Sequence, residues 1–173
     1  MDNGFKGYMR QGTGRTFPVA LYNDATGSVI EPDAGSGTFR IYGQSFVQNG
    51  TIAPLETGSV TNASNTNPIS ITSNLHGLTS GQFVTITGVL GNTNANVTAG
   101  LISRVDANTF NLVGVTGNGA YVSGGSWNTS GLYGVTLSDA DSLNYDPASV
   151  YTCVVSYTVA GVPKTMSFTF GVN

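Results

Sequence analysis

Tyr151-Thr152-Cys153-Val154-Val155-Ser156-Tyr157-Thr158-Val159, the link Ala160-Gly161-Val162-Pro163, and then Thr165-Met166-Ser167-Phe168-Thr169-Phe170-Gly171-Val172 decide the fold class. Met166, Phe168, Phe170 and Val172 alternate with Thr165, Ser167, Thr169 and Gly171, and Tyr151, Cys153, Val155, Tyr157 and Val159 form the matching series before the link. A period of two puts one set of side chains on an apolar face and the other on a hydroxyl-rich wet face. With a short link between them the two runs read as a β-hairpin.

Working outward, the same period recurs. Phe17, Val19 and Leu21 form one face of an early strand, and Thr38-Phe39-Arg40-Ile41-Tyr42 forms another after the loop Glu31-Pro32-Asp33-Ala34-Gly35-Ser36-Gly37. No stretch sustains a helical period over three turns. Ser138-Asp139-Ala140-Asp141-Ser142-Leu143 is expected to make one capped helical turn at most. Between Thr61 and Asn128 the only charged residues are Arg104 and Asp106, and strands become short and densely punctuated. Pro68–Thr72, Phe83–Thr87, Leu101–Val105 and Phe110–Val113 are each bounded by Gly or Asn turns, with Asp106-Ala107-Asn108-Thr109 closing a hairpin. Polar, turn-rich flanks at 61–67 and 128–131 read as linkers. The chain therefore divides into an N-terminal arm (1–16), a β-sandwich (17–60 plus 129–173) and a small β-barrel (61–128) inserted in a loop of the sandwich. The alternative is a single elongated β domain.

Composition agrees with an all-β fold. Charged residues make up 9% of the chain, against the roughly 25% of ordinary soluble domains. Thr, Ser, Asn and 24 glycines take their place, as strands with hydroxylated outer faces and Gly/Asn turns require. Six basic and nine acidic residues give no stripe of positive charge to neutralise phosphates, so nucleic acid is not an expected partner. No apolar run approaches the roughly 18 residues of a membrane span, so no membrane partner is expected either. A single cysteine, Cys153, has nothing to pair with inside the chain.

Two resemblances come from specific stretches. His76-Gly77-Leu78-Thr79-Ser80-Gly81-Gln82-Phe83-Val84-Thr85-Ile86, then Asp106-Ala107-Asn108-Thr109-Phe110 and Gly119-Ala120-Tyr121-Val122-Ser123-Gly124-Gly125-Ser126-Trp127, resemble a recurrent module of tailed-bacteriophage virion proteins. That module is similar to the first catalytic-cysteine half-domain of ubiquitin-activating enzymes, a small β-barrel. The block has no cysteine, so the resemblance implies shape without ubiquitin chemistry. The outer part resembles the immunoglobulin-like domains attached to phage capsid, fibre and baseplate proteins, on Thr38–Tyr42, Gly131–Ser138, Tyr151–Val155 and Ser167–Phe170. Tyr151 stands two residues before Cys153, the spacing at which a tyrosine in the immunoglobulin fold bonds back to its own corner. Asp146 lies one residue farther from the tyrosine than in antibody domains, and no second cysteine exists, so the implied fold is an immunoglobulin-like sandwich without its disulfide.

Catalytic and metal-binding chemistry finds little footing. The one histidine, His76, lies in a turn of the inserted block, while Cys153 sits mid-strand in the outer part and alternates with core residues. A nucleophile needs a base within hydrogen-bond reach, and this pair belongs to different blocks. Asp139, Asp141 and Asp146 cluster, yet an EF-hand would need a ligand at Leu143, a glycine at Asn144 and a glutamate at Val150. No catalytic residue, metal ligand or cofactor is therefore assigned.

The resemblance implies a non-enzymatic virion structural protein, a capsid decoration or minor head-surface component made in the host cytoplasm. The start of the chain, Met1-Asp2-Asn3-Gly4-Phe5-Lys6, has neither the apolar run nor the cleavage site of a signal peptide. Expected partners are other virion proteins, the major capsid protein above all, with a homo-oligomer left open. Lys6, Arg10 and Arg15 are half of the six basic residues and lie with Phe5 and Tyr8 in a segment of little strand pattern. These five are the candidate partner contacts, on an arm expected to be mobile in the free protein and dispensable for its stability. The alternative is a tail, fibre or baseplate module binding host-surface carbohydrate, with Tyr121 and Trp127 as candidate stacking residues.

Overall fold

The computed structural model describes residues 2–23, 26–43 and 46–173; Met1, the first residue of the expected arm, lies outside them. The fold is all-β, a sandwich with a barrel-like part, and its strands follow the period-two stretches closely. The late hairpin consists of β14 (Val150–Val159) and β15 (Val162–Val172), with Cys153 opposite Phe168 and Val155 opposite Met166. Ala160 and Gly161 both take positive φ, 49° and 76°, the two-residue turn whose twist suits a hairpin. Val162 and Pro163, expected in the link, belong to β15. Val159 and Val162 flank the turn as the hydrogen-bonded pair, so Pro163 falls on a non-bonded position opposite Thr158. Its missing N–H costs the ladder nothing there.

Numbered in chain order, the remaining strands are β1 (Asp2–Met9), β2 (Arg15–Ala20), β3 (Thr38–Tyr42), β4 (Phe46–Thr51), β5 (Ala53–Pro54), β6 (Thr57–Ser59), β7 (Asn62–Ala63), β8 (Ile69–Thr72), β9 (Phe83–Thr87), β10 (Gly100–Arg104), β11 (Thr109–Leu112), β12 (Ser126–Thr129) and β13 (Leu132–Leu137). The chain forms two compact units. The first runs through Leu21, resumes at Ile30–Ala53 and ends with Tyr133–Asn173; the second comprises Tyr22–Val29 and Pro54–Leu132. The second unit is thus wider than the expected 61–128.

In the first unit a five-stranded sheet, β1-β15-β14-β3-β4, faces a three-stranded one, β2-β13-β5. Phe17, Val19 and Val135 from the small sheet meet Ile41, Cys153, Val155, Phe168 and Phe170 from the large one in one core. Phe17 sits 4.7 Å from Phe170 between ring centroids, and Tyr151 stacks on Phe170 at 5.7 Å. The capped turn forms as α1 (Asp139–Ser142), with Ser138 and Asp141 exchanging the hydrogen bonds of a capping box. At the corner before β14 the Asp146 N–H donates to the Tyr151 hydroxyl at 2.7 Å, the back-bond that the Tyr151–Cys153 spacing suggests.

The expected free arm needs correction. Residues 2–9 form β1, a parallel edge strand on β15, and residues 15 and 16 already belong to β2. The pairing runs Asp2 with Ser167, Phe5 with Thr169, Tyr8 with Gly171 and Met9 with Val172. Between the first three pairs β1 spends three residues for every two of β15. Each interval contains a glycine at positive φ, Gly4 at 69° and Gly7 at 97°, which absorbs the extra residue as a bulge. A strand bulged at every third residue shows no alternation, so a period-two reading passes over it.

The second unit carries a seven-stranded sheet in the order β6-β12-β9-β10-β11-β8-β7. Its two outermost members are successive pieces of one segment, residues 57–63. The segment pairs with β12 through β6 and with β8 through β7. Between them Val60 N–H donates to the Gly125 carbonyl and Thr61 N–H to the Thr72 carbonyl, at 2.9 and 2.8 Å. One segment joining both ends of the row closes it into a barrel, which removes its edges. Ile69, Ile71, Leu78, Val84, Ile86, Ile102, Phe110, Leu112 and Trp127 fill the interior.

Candidate functional site

The structure brings the five candidate partner residues together along β1 and the start of β2. In a regular strand Phe5 and Tyr8, three apart, would point to opposite faces. The bulge at Gly7 restores them to one face, where their rings meet edge-on at 5.2 Å between centroids. Both remain open to solvent, at 51% and 58% exposure. The Tyr8 ring lies over Gly171: a Cβ there would stand 2.5 Å from two ring carbons, so this position of β15 must be bare for the ring to settle. Next to Tyr8, Met9 turns inward and is buried in the sandwich core. Arg10 is exposed and Lys6 half-buried.

Arg15 has a different part from the one expected. Its guanidinium donates to the Tyr8 carbonyl and, at 3.4 Å, to the Lys6 carbonyl, and lies 5.1 Å from the centre of the Phe17 ring. An arginine that clasps two backbone carbonyls and covers a core aromatic fastens β1 to β2. It is a fastener of the patch more than a free cation. Beside it, Gly14, Arg15, Thr16, Thr136, Leu137, Ser138, Asp139 and Ala140 line an open groove of roughly 530 Å³.

The candidate glycan contacts fare otherwise. Trp127 is 3% exposed, donates its indole N–H to Ser73 Oγ at 2.8 Å, and packs edge-on to Phe110. Gly58 presses on the indole so closely that a Cβ would come within 2.7 Å. The expectation that Trp127 offers a stacking face is therefore corrected: it is a core residue, and its N–H is already matched. Tyr121 is half-buried, and its hydroxyl reaches the Val60 and Gly124 carbonyls at 3.0 and 2.9 Å. It pins the β6–β7 segment to the approach to β12.

Residues with catalytic potential are tied into local structure. His76 is 4% exposed; its Nδ1 accepts from Leu78 N–H at 3.0 Å, so Nε2 carries the proton and meets the Asp106 carbonyl at 3.1 Å. Cys153 is fully buried, and burial pushes its thiol up to about 12, far from thiolate reactivity near neutrality. Asp139 Oδ1 accepts from Gly14 N–H at 2.6 Å, and Asp141 caps Ser138. Both carboxylates act as backbone caps.

One residue escaped the sequence reading. The Asp33 carboxylate accepts from Thr158 Oγ1 at 2.6 Å and from the Ala160 and Gly161 N–H groups at 2.9 Å each. It holds the tip of the β14–β15 hairpin from a loop 125 residues earlier in the chain, a separation at which sequence gives no local signal. The Thr158 hydroxyl first, then the turn N–H groups, hold this carboxyl below the usual range. No protein-family model matches the chain. No curated protein matches it.

Proposed function

We propose that this chain is a non-enzymatic structural component of a tailed-phage virion, attached to the head surface as a decoration or minor head protein through the β1 edge. The observation that carries this reading is the Phe5–Tyr8 pair: two large aromatic rings side by side, each more than half exposed, flanked by Lys6 and Arg10. Aromatic anchors within a polar, cationic rim are the composition of protein–protein contact surfaces. The resemblance of the two blocks to virion modules supplies the setting. Burial of Cys153 and engagement of both His76 nitrogens support the non-enzymatic part. The carbohydrate alternative has lost Trp127 as a stacking face, and no other observation favours it.

The test is co-sedimentation with particles lacking this protein. Phe5→Ala with Tyr8→Ala is expected to weaken attachment about 10-fold or more, as truncated interface anchors do. Lys6→Glu with Arg10→Glu is expected to weaken it in a manner that fades at high salt. Deleting residues 1–13 is a poorer test, since it strips Met9 from the core and bares the edge of β15. Undiminished binding by both surface variants would overturn the reading.

A further inference from the structure

We infer that β1 is an exchangeable strand, and that the partner keyed to the edge of β15 is β1 of a second copy of this chain. The inference stands apart from the virion reading, since it concerns how copies of this protein join one another.

Four observations carry it. First, β1 pairs with β15 alone and in a broken register, with a bulge at Gly4 and another at Gly7. Second, among its described side chains only Met9 is buried, so its departure would remove one residue from a core otherwise built without it. Third, the connection to β2 suits a hinge. Residues 10–13 are exposed. Gln11 is tied to the body of the sandwich, its N–H donating to the Asn173 carbonyl and its Nε2 to the Tyr145 carbonyl at 3.0 Å each. Gly12 and Thr13 after it are held by one turn bond, Thr13 N–H to the Arg10 carbonyl at 3.0 Å, and form the hinge. Gly14 is locked beyond them, since a Cβ there would meet the Leu137 carbonyl at 2.5 Å. Swinging the hinge leaves the β2 backbone in place but releases the Arg15 bonds to the Lys6 and Tyr8 carbonyls, which β1 of the neighbour would remake. Fourth, the place that β1 occupies has a specific shape. The bare Gly171 accepts the Tyr8 ring, and beyond it Asn173 N–H donates to the Met9 carbonyl while Gln11 N–H donates to the Asn173 carbonyl, both at 3.0 Å. A strand carrying tyrosine opposite Gly171 and continuing along Asn173 fits; the strand known to do so is β1. The same strand from a neighbour restores every one of these contacts, which is why exchange of an identical element is a low-cost route to association.

The test mixes two single-cysteine chains, Phe5→Cys and Thr169→Cys, whose positions face each other across the β1–β15 pair. Native Cys153 stays, because it is buried. Phe5→Cys and Thr169→Cys combined in one dilute chain should close an intrachain disulfide. Concentrated mixtures of the two single variants should form the interchain bond at least about 10-fold faster than a mixture in which Leu143→Cys, an exposed position off the strand, replaces Phe5→Cys. Deleting Gly12 and Thr13, which shortens the hinge, should shift the chain from monomer to dimer on size exclusion with light scattering. Cross-linking in the mixture no faster than the Leu143→Cys control, or a double variant that closes no bond, would overturn the inference. So would a hinge deletion that leaves a monomer. Particle attachment that persists in any of these cases would leave the proposed function standing.

Discussion

Asp33 shows how much one side chain can organise here. Its carboxylate replaces solvent at a hairpin tip where two successive N–H groups and a hydroxyl converge, a concavity that favours an anion. Because these donors stabilise the charged form, its folded pKa lies below the value in the unfolded chain. Its contribution to stability is therefore present above the unfolded value of about 4 and is lost as pH falls through the folded one. Asp141, held low chiefly by the Ser138 N–H and then its hydroxyl, acts in the same direction. Asp33→Asn should lower the unfolding midpoint at pH 7 and flatten, without abolishing, the decline as pH falls below about 4. Denaturation midpoints measured across that range check both; an unchanged slope would mean that the clamp contributes nothing. In the sequence Asp33 falls in a loop and Gly161 in a turn, with nothing local to join them. The Tyr151 back-bond was legible because its partner lies five residues away.

At the scale of elements, legibility followed periodicity. β14, β3, the middle of β15 and the barrel strands β8 and β11 bury every second residue, and that is the signal a half-buried strand writes into its sequence. β1 is the counter-example: its ladder repeats in threes, with glycine taking up the slack, so the aromatic residues line up while the pattern looks like none. The candidate site was half legible for the same reason. Its residues were identified by type, but the reason that Phe5 and Tyr8 share a face lies in the Gly7 conformation, and Arg15 turned out to clasp the Lys6 and Tyr8 carbonyls. Gly7→Ala tests the bulge. A Cβ at φ 97° is strained by about 1 kcal/mol or more, which β1 can relieve by detaching. Hydrogen exchange should quicken for β15 amides between Ser167 and Val172 and stay unchanged in β3. Equal protection in both strands of the variant would mean that the bulge tolerates a side chain.

At the scale of the whole chain, two cores are built from separate stretches. Every core residue of the barrel lies between Val60 and Trp127, and the sandwich draws on none of that stretch. The segment 54–132 expressed alone should fold, with dispersed amide resonances and a cooperative melt, though a chain this short buries a modest fraction of its surface and its stability should be low. A collapsed, undispersed spectrum would show that the barrel needs the rest of the chain. The expected linkers at 61–67 and 128–131 missed the boundary because residues 57–59 carry a strand with no apolar period, which only its pairing to β12 reveals.

The segment 57–63 that closes the barrel also sets how the barrel would yield to tension. Leu55 N–H bonds to the Leu132 carbonyl and Thr129 N–H to the Glu56 carbonyl, so the two chain ends leave the barrel side by side from antiparallel neighbours. A pull on those ends loads the β6–β12 bonds one at a time, as a zipper is opened, in place of shearing them together. Once β6 has peeled away, the segment is still held by the short β7 pairing to β8 and by the Tyr121 hydroxyl on the Val60 carbonyl. Interior and seam would thus answer different loads, and a stretched chain would lengthen first at the seam, unrolling one segment before the core is exposed.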